Sequence, residues 1–265
     1  MPNIDVSGIV TREVKYGENS RILTVLSKDT GRISVLASRA RTNKSGLLTA
    51  TQLFAYSNFT LFKGRDGSLL KLNEGEVIHP FAGIRTSLEK MAYASYFCDV
   101  INRLCKEGVE ENELLTLILN MLYMLERPDC TDLDAVKLRA VFQLRSLAAA
   151  GYAPDCGGCA ACGSENVKYF YHSGGGFLCE SCKQKSEQPD GKAPAQKIYG
   201  PLSEINSALY NAVNFITTAD SKHILSFNLG AESTKYLADI GEIYLKTQLE
   251  HEFKTLGYLK NVLAL

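Results

Sequence analysis

The sequence predicts an α+β protein: an N-terminal five-stranded barrel, followed by an all-helical domain with an inserted four-cysteine module. Three observations carry this expectation. Up to about residue 80, apolar side chains recur with the period of two that marks a half-buried strand. After Pro80 the spacing changes to the three-and-four rhythm of a helix. Amid the helical stretches stand two Cys-x-x-Cys pairs, Cys159-Ala160-Ala161-Cys162 and Cys179-Glu180-Ser181-Cys182, with sixteen residues between them.

The strands come first. Val6–Val10 and Arg21–Ser27 are short apolar runs, the second rich in branched residues. Asp29-Thr30-Gly31 then turns the chain, and Ile33, Val35 and Ala37 alternate with Arg32, Ser34 and Leu36. Phe54–Lys63 is the fourth run, ended by the turn signal Gly64-Arg65-Asp66-Gly67. Leu69–His79 is the fifth. Five short strands in residues 1–80 predict a small barrel, either of the oligonucleotide/oligosaccharide-binding (OB) type or SH3-like. Closure removes the exposed edges that so small a sheet could not otherwise hide.

The first helical part spans residues 81–151. Thr86 or Ser87 caps a helix striped by Leu88, Met91, Tyr96 and Val100. Glu110-Glu111-Asn112-Glu113 opens a second, its acids at the positive end of the dipole, with Leu114, Leu115, Ile118, Met121, Leu122 and Leu125 as its stripe. A third runs from Leu133 to Ala150, with Val136, Leu138, Phe142 and Leu147 inward, and Gly151 stops it. Cys98, Cys105 and Cys130 fall within these patterns and read as small buried hydrophobes. The polar stretch at 187–200, with Pro189, Gly191 and Pro194, reads as a linker. The second helical part, 201–265, holds helices at 203–219 and 233–248, the latter striped by Tyr236, Leu237, Ile240, Ile243 and Tyr244. The last residues from Leu256 pack back or fray.

The cysteine module spans 152–186. Each Cys-x-x-Cys turn brings two thiolates to one point, and two turns complete the tetrahedron that Zn²⁺ favours. The spacing falls in the range of zinc sites. Tyr169–Phe177, aromatic and closing on Gly174-Gly175-Gly176, reads as the hairpin of a zinc ribbon. The ligands are Cys159, Cys162, Cys179 and Cys182; Cys156 forms an overlapping Cys156-Gly157-Gly158-Cys159 and competes as a ligand. Four thiolates leave no open position for water, so the expected role of zinc is structural. A deaminase would need a His-x-Glu motif, but the nearest histidine, His172, precedes Ser173-Gly174. His79, His223 and His251 have no partner motif. There is no Walker A loop, nucleophile elbow or paired-carboxylate motif in the sequence; that absence, together with the family resemblance given below, makes a non-enzyme the expectation.

The net formal charge is zero, but its distribution is uneven. Residues 12–44 carry eight bases (Arg12, Lys15, Arg21, Lys28, Arg32, Arg39, Arg41, Lys44) against three acids (Glu13, Glu18, Asp29). Residues 91–155 carry six bases against ten acids. That asymmetry fits a polyanion-binding end and an acidic, partner-facing end. No signal peptide or apolar span long enough for a membrane is visible, so the expectation is a soluble, cytoplasmic protein with no membrane partner.

Three segments resemble the RecO family of bacterial recombination and repair mediators. Val10–Thr24, around Tyr16-Gly17-Glu18, is similar to that family's first hairpin. Ala37–Ser45 is similar to its basic loop. Gly151-Tyr152-Ala153-Pro154, followed by the two cysteine pairs and Gly174-Gly175-Gly176, is the third, and the likeness runs through nearly the whole chain. The family's loop usually reads Ala-Lys-Gly-Ala-Arg-Arg; here Ser38 replaces the lysine, Arg39 the glycine and Thr42 the second arginine. Cys156 stands where the family has an apolar residue, and the resemblance favours Cys159 and Cys162 as ligands.

The resemblance implies an OB barrel, binding of single- and double-stranded DNA, and annealing of complementary strands. It also implies contact with RecR and with the C-terminal tail of the single-stranded DNA-binding protein. Together these load RecA onto coated gaps in DNA repair, in a bacterial, nucleoid-associated setting. Phosphate contacts are then expected from Arg12, Lys15, Arg21, Arg39, Arg41 and Lys44. Tyr16 reads as packed into its turn, with base stacking as its other use. The competing reading is a zinc-stapled protein–protein scaffold without DNA contact.

Overall fold

The alternating segments close into a barrel in the computed structural model, which describes residues 3–38, 47–63, 69–187 and 200–264. The chain divides into two compact units, Met1–Cys130 with Phe253–Leu265, and Thr131–Glu252. The linker expected at 187–200, apart from its end residues, and the turn at 64–67 lie outside the described residues.

In the first unit five strands carry the barrel: β1 (Asn3–Tyr16), β2 (Ser20–Ser27), β3 (Gly31–Ala37), β4 (Tyr56–Lys63) and β5 (Leu70–His79). Their order is β1-β2-β3-β5-β4, closed, with β3 and β5 parallel and every other pair antiparallel. This five-stranded closure is the OB architecture. Val6, Val10, Leu23, Val25, Ile33, Val35, Phe59, Leu61 and Leu72 fill the interior, one inward residue for each outward one. A short helix, α1 (Leu47–Ala50), unforeseen in the sequence, adds Ala50 to this core. Phe54, expected to start a strand, instead takes a left-handed φ of 72° just before β4. Its N–H donates to the Val10 carbonyl at 2.8 Å.

β1 is longer than its apolar run because its two halves pair with different neighbours. Asn3–Ile9 pair with β4; Gly8–Val10 and Arg12–Tyr16 pair with β2, which is paired on its other side with β3. A bulge at Thr11 separates the halves. The extra residue reverses which side chains face out. Thr11 is buried, and its hydroxyl donates to Asn102 Oδ1 at 2.7 Å.

A 3-10 turn (Ala82–Thr86) and helices α2 (Leu88–Leu104), α3 (Asn112–Glu126) and α8 (Lys254–Leu263) complete this unit. Ser87, one of the two candidate caps, accepts from the Lys90 N–H. Tyr96 and Val100 are buried on α2 as expected, but Leu88 and Met91 are exposed. The helical stripe there begins one turn later, at Ala92 and Tyr93. Residues at the C-terminus, open to fraying on sequence alone, form α8, which packs on α2 with Leu256, Leu259 and Val262 inward. Cys98 and Cys105 are buried; Cys130 is outside any helix and only half-buried.

The second unit contains α4 (Asp132–Ala149), β6 (Tyr169–Tyr171), β7 (Gly176–Leu178), α5 (Glu180–Glu187), β8 (Leu202–Glu204), α6 (Ser207–Thr218) and α7 (Ala231–Leu249). Thr131 and Asp134 form a reciprocal capping box at the start of α4. α4 packs along α7. Tyr236 and Ile243 of the predicted α7 stripe are exposed, while Leu237, Ile240 and Tyr244 are buried. β8 opens the segment read as pure helix and pairs with β6, making a three-stranded sheet β7-β6-β8.

Candidate metal centre and nucleic-acid interface

The cysteine pairs reach one point by two different local routes. Cys159–Cys162 is a tight loop in which the Gly163 N–H donates to the Cys159 carbonyl at 2.7 Å. Gly163 sits at φ +73°, where a side chain would be strained. Cys179 directly precedes α5, and Cys182 lies within its first turn. The hairpin β6–β7 and the bridge between Cys159 and Phe177 bring the two turns together.

The sulfurs of Cys159, Cys162, Cys179 and Cys182 all lie within 4.8 Å of one another. Cys162 Sγ and Cys179 Sγ are 3.7 Å apart. Four sulfurs about 2.3 Å from one zinc ion would be separated by about 3.8 Å. The set therefore fits one tetrahedral ion. Burial pushes the Cys159 thiol up, but N–H groups of Cys179, Ala161 and Cys162 outweigh it and hold the thiol at about 6. Burial, followed by the neighbouring sulfurs, pushes Cys182 up to about 12. One thiolate forms readily; gathering four without a cation is costly. Cys156 is not in the cluster: its Sγ faces the Pro154 carbonyl at 3.7 Å and Thr217, and burial raises it to about 11.

Aromatic packing ties this knot to the helices of its own unit. Phe170 and Phe177 are fully buried, with ring centroids 5.2 Å apart and nearly perpendicular. Phe170 also meets Tyr244 of α7 at 5.1 Å, and Phe177 meets Tyr210 of α6 at 4.8 Å. The glycine turn is sterically required at Gly174, where a Cβ would come within 2.2 Å of the Tyr171 ring. His172 is not a ligand. It is buried, its Nε2 lies 2.8 Å from Ser203 Oγ, and burial lowers its pKa to about 4.

The basic residues are arranged by register. Lys15 pairs with Arg21, and Arg21 pairs with Ala37, so one row crosses β1, β2 and β3 at one end of the barrel. The segment 39–46, which holds Arg39, Arg41 and Lys44, continues the chain two residues beyond Ala37 but lies outside the described residues. Arg12, Lys15 and Tyr16 are exposed; Tyr16 is 56% exposed and is not packed into its turn. Arg21 differs: its side chain is 11% exposed and bound to Glu13. The bulge also splits the set. Arg12 pairs with Thr24, on the outer face, whereas Lys15 pairs with Arg21, on the face of Leu23 and Val25. Sequence reading passed over Lys71. Leu70 and Leu72 pack inward on β5, so Lys71 faces out, beside Leu36 through the parallel β3–β5 pairing. The alternation was visible; the parallel pairing was not.

Barrel and cysteine knot together define a class: an OB-barrel protein carrying helices and a four-cysteine, metal-competent module. The model for "Recombination protein O N terminal" matches residues 1–81, and that for "Recombination protein O C terminal" matches residues 85–196. The chain is 36% identical over 264 residues to the DNA repair protein RecO of Acetivibrio thermocellus, covering 99% of this chain and 98% of that one. It is 27% identical over 260 residues to the Thermoanaerobacter sp. RecO, covering 98% of each. Against the Alkaliphilus metalliredigens RecO it is 34% identical over 181 residues, 68% of this chain and 72% of that one. The chain belongs to the RecO family. Among the described residues, no helix is long and apolar enough to cross a membrane.

Proposed function

We propose that this chain is a non-enzymatic, DNA-binding recombination mediator of DNA repair. It binds single- and double-stranded DNA and anneals complementary strands. With RecR it helps load RecA onto gaps coated by single-stranded DNA-binding protein, whose C-terminal tail it contacts. Annealing breaks no covalent bond; it needs two strands held at their phosphates, with most bases free to pair. Residues 1–80 serve as the nucleic-acid-binding domain. The helical parts, 81–151 and 201–265, the cysteine module, 152–186, and the linker, 187–200, supply partner surfaces and stability. One Zn²⁺ on Cys159, Cys162, Cys179 and Cys182 is structural, and the protein works in the cytoplasm, on the nucleoid.

The observation that carries this reading is the exposed Lys15 in register with the end of β3, with the basic segment 39–46 following β3 in the sequence. Arg12, Lys15, Arg39, Arg41 and Lys44 contact phosphates and release counterions. Arg21 joins them only by giving up Glu13. Changing Arg39, Arg41 and Lys44 together to Ala should weaken DNA binding and lower the single-strand salt slope by about 2. An unchanged slope refutes the assignment. Strand annealing, measured with and without the cognate single-stranded DNA-binding protein, tests the function itself. No annealing in either condition points to a protein scaffold instead.

A further inference from the structure

Glu232, Tyr236, Asp239 and Ile243 recur every three or four residues along one side of α7, and all four are exposed. Tyr236 and Ile243, apolar enough to have read as core, are 38% and 36% exposed. At the N-terminal end of this row lies a cavity of about 430 Å³, between α7 and the chain that joins β8 to α6. Its floor is Ile205 and Leu209, both buried; its walls are Glu204, Glu232, Ser233 and Tyr236. Among the described residues, neither Glu204 nor Glu232 has a basic partner. Gly200, where the described chain resumes after residue 199, lies toward the other end of α7. It packs on Ser173 Oγ, and at the neighbouring His172 the carbonyl accepts from Gln248 Nε2 at 2.8 Å. Gln248 is sixteen residues along α7 from Glu232, about 24 Å.

An apolar floor under two carboxylates fits a side chain that is apolar along its stem and cationic at its tip. Arginine is that side chain. Its planar guanidinium bonds carboxylates as a fork and lays a flat, charged face on a tyrosine ring. Anions are repelled, so neither nucleic acid nor an acidic peptide suits the cavity. Asp239 is already met by Arg139 at 3.6 Å, which leaves the attraction to Glu204 and Glu232. We propose that the cavity receives an arginine from a basic, extended segment of a partner protein, and that an apolar side chain of the same segment rests on Ile243. Ile243 is seven residues beyond Tyr236, about 10 Å along the helix. A polyproline-type chain rises about 3.1 Å per residue and returns to the same side every third one, so the segment reads Arg-x-x-apolar. The site is separate from the barrel and independent of the DNA-binding reading.

The test titrates the full chain into a fluorescein-labelled peptide carrying Arg-Pro-Pro-Leu, read by anisotropy. A second peptide has citrulline for the arginine, which keeps the shape and removes the charge; a third has glutamate there. The arginine peptide should bind saturably, the citrulline peptide about tenfold more weakly, the worth of one charge-assisted bond, and the glutamate peptide not at all. Glu204→Gln/Glu232→Gln should weaken the arginine peptide about tenfold and leave the citrulline peptide unchanged. Tyr236→Phe should keep the affinity and Tyr236→Ala lose it. All of these positions are exposed, so zinc content and the urea midpoint should match the wild type and show that the variants fold. No saturable binding by about 1 mM, equal binding of the arginine and citrulline peptides, or wild-type binding by the double glutamine variant overturns the proposal. A wild-type dimer that Tyr236→Ala dissociates gives the face to a second copy of the chain and overturns it too. DNA affinity measured on the same variants should stay at the wild-type value, so failure here leaves the DNA-binding reading standing.

Discussion

Arg21 Nη1 of β2 lies 2.6 Å from Glu13 Oε2 of β1, and also reaches the Thr51 carbonyl at 3.3 Å. Its charge is spent within the protein. Arg21→Ala should therefore cost stability, about 1–3 kcal/mol for charge-assisted bonds, with little change in the salt slope of DNA binding. Glu13→Gln should do the reverse: a small stability loss, and DNA binding tightened two- to threefold as a repelling carboxylate is removed. Urea titrations and salt-series anisotropy on both variants check this. A large fall in salt slope for Arg21→Ala would place Arg21 on phosphate after all.

The four-sulfur knot should hold close to one zinc per chain in freshly purified protein, by elemental analysis. Cys162→Ser should empty it, because three thiolates bind zinc far less well. Cys156→Ser should leave the content at one, since its sulfur faces Pro154 and Thr217. Loss of zinc in Cys156→Ser would reassign the ligand set.

The knot and its aromatic seat are separable. Phe170→Ala removes the ring between Phe177 and Tyr244. It should cost about 3–5 kcal/mol, as for other buried aromatics, while zinc content stays near one. Zinc loss in step with stability would mean that the metal site depends on the helices more than on its own two turns.

His172 gives a pH dependence with a definite sign. Burial holds its folded pKa to about 4, below the ordinary 6.5. Between those values the unfolded chain takes up a proton that the folded chain does not, so stability falls as pH falls. Lowering the pH from 7.5 to 5.5 should remove about 1.4 kcal/mol through this residue alone. His172→Gln should lose that part of the slope in urea titrations at the two pH values. An identical slope in the variant would show that His172 is not buried neutral.

Much of the four-cysteine cluster was legible because its members are local pairs: each Cys-x-x-Cys determines its own turn, and chemistry limits what four thiols do. Helix caps at Ser87 and the stop at Gly151 were legible for the same reason. The basic set was legible only as a list. Its division between two faces depends on one bulged residue, Thr11, whose hydroxyl is held by Asn102, ninety-one positions away. Leu88 and Met91 fit a helical stripe but are exposed, because periodicity marks a possible inner face and the packing partner selects the actual one.

By itself the sequence determined the strand-rich start, the helical remainder, the zinc-type spacing and the family likeness, since each rests on neighbours within a turn or a hairpin. Tertiary structure decided the rest. It closed the barrel through the parallel β3–β5 pairing, withdrew Arg21 into a pair with Glu13, excluded Cys156 from the sulfur cluster and left Tyr236 and Ile243 exposed. These depend on contacts distant in sequence, which compete for the same side chains and are settled only when the chain has folded.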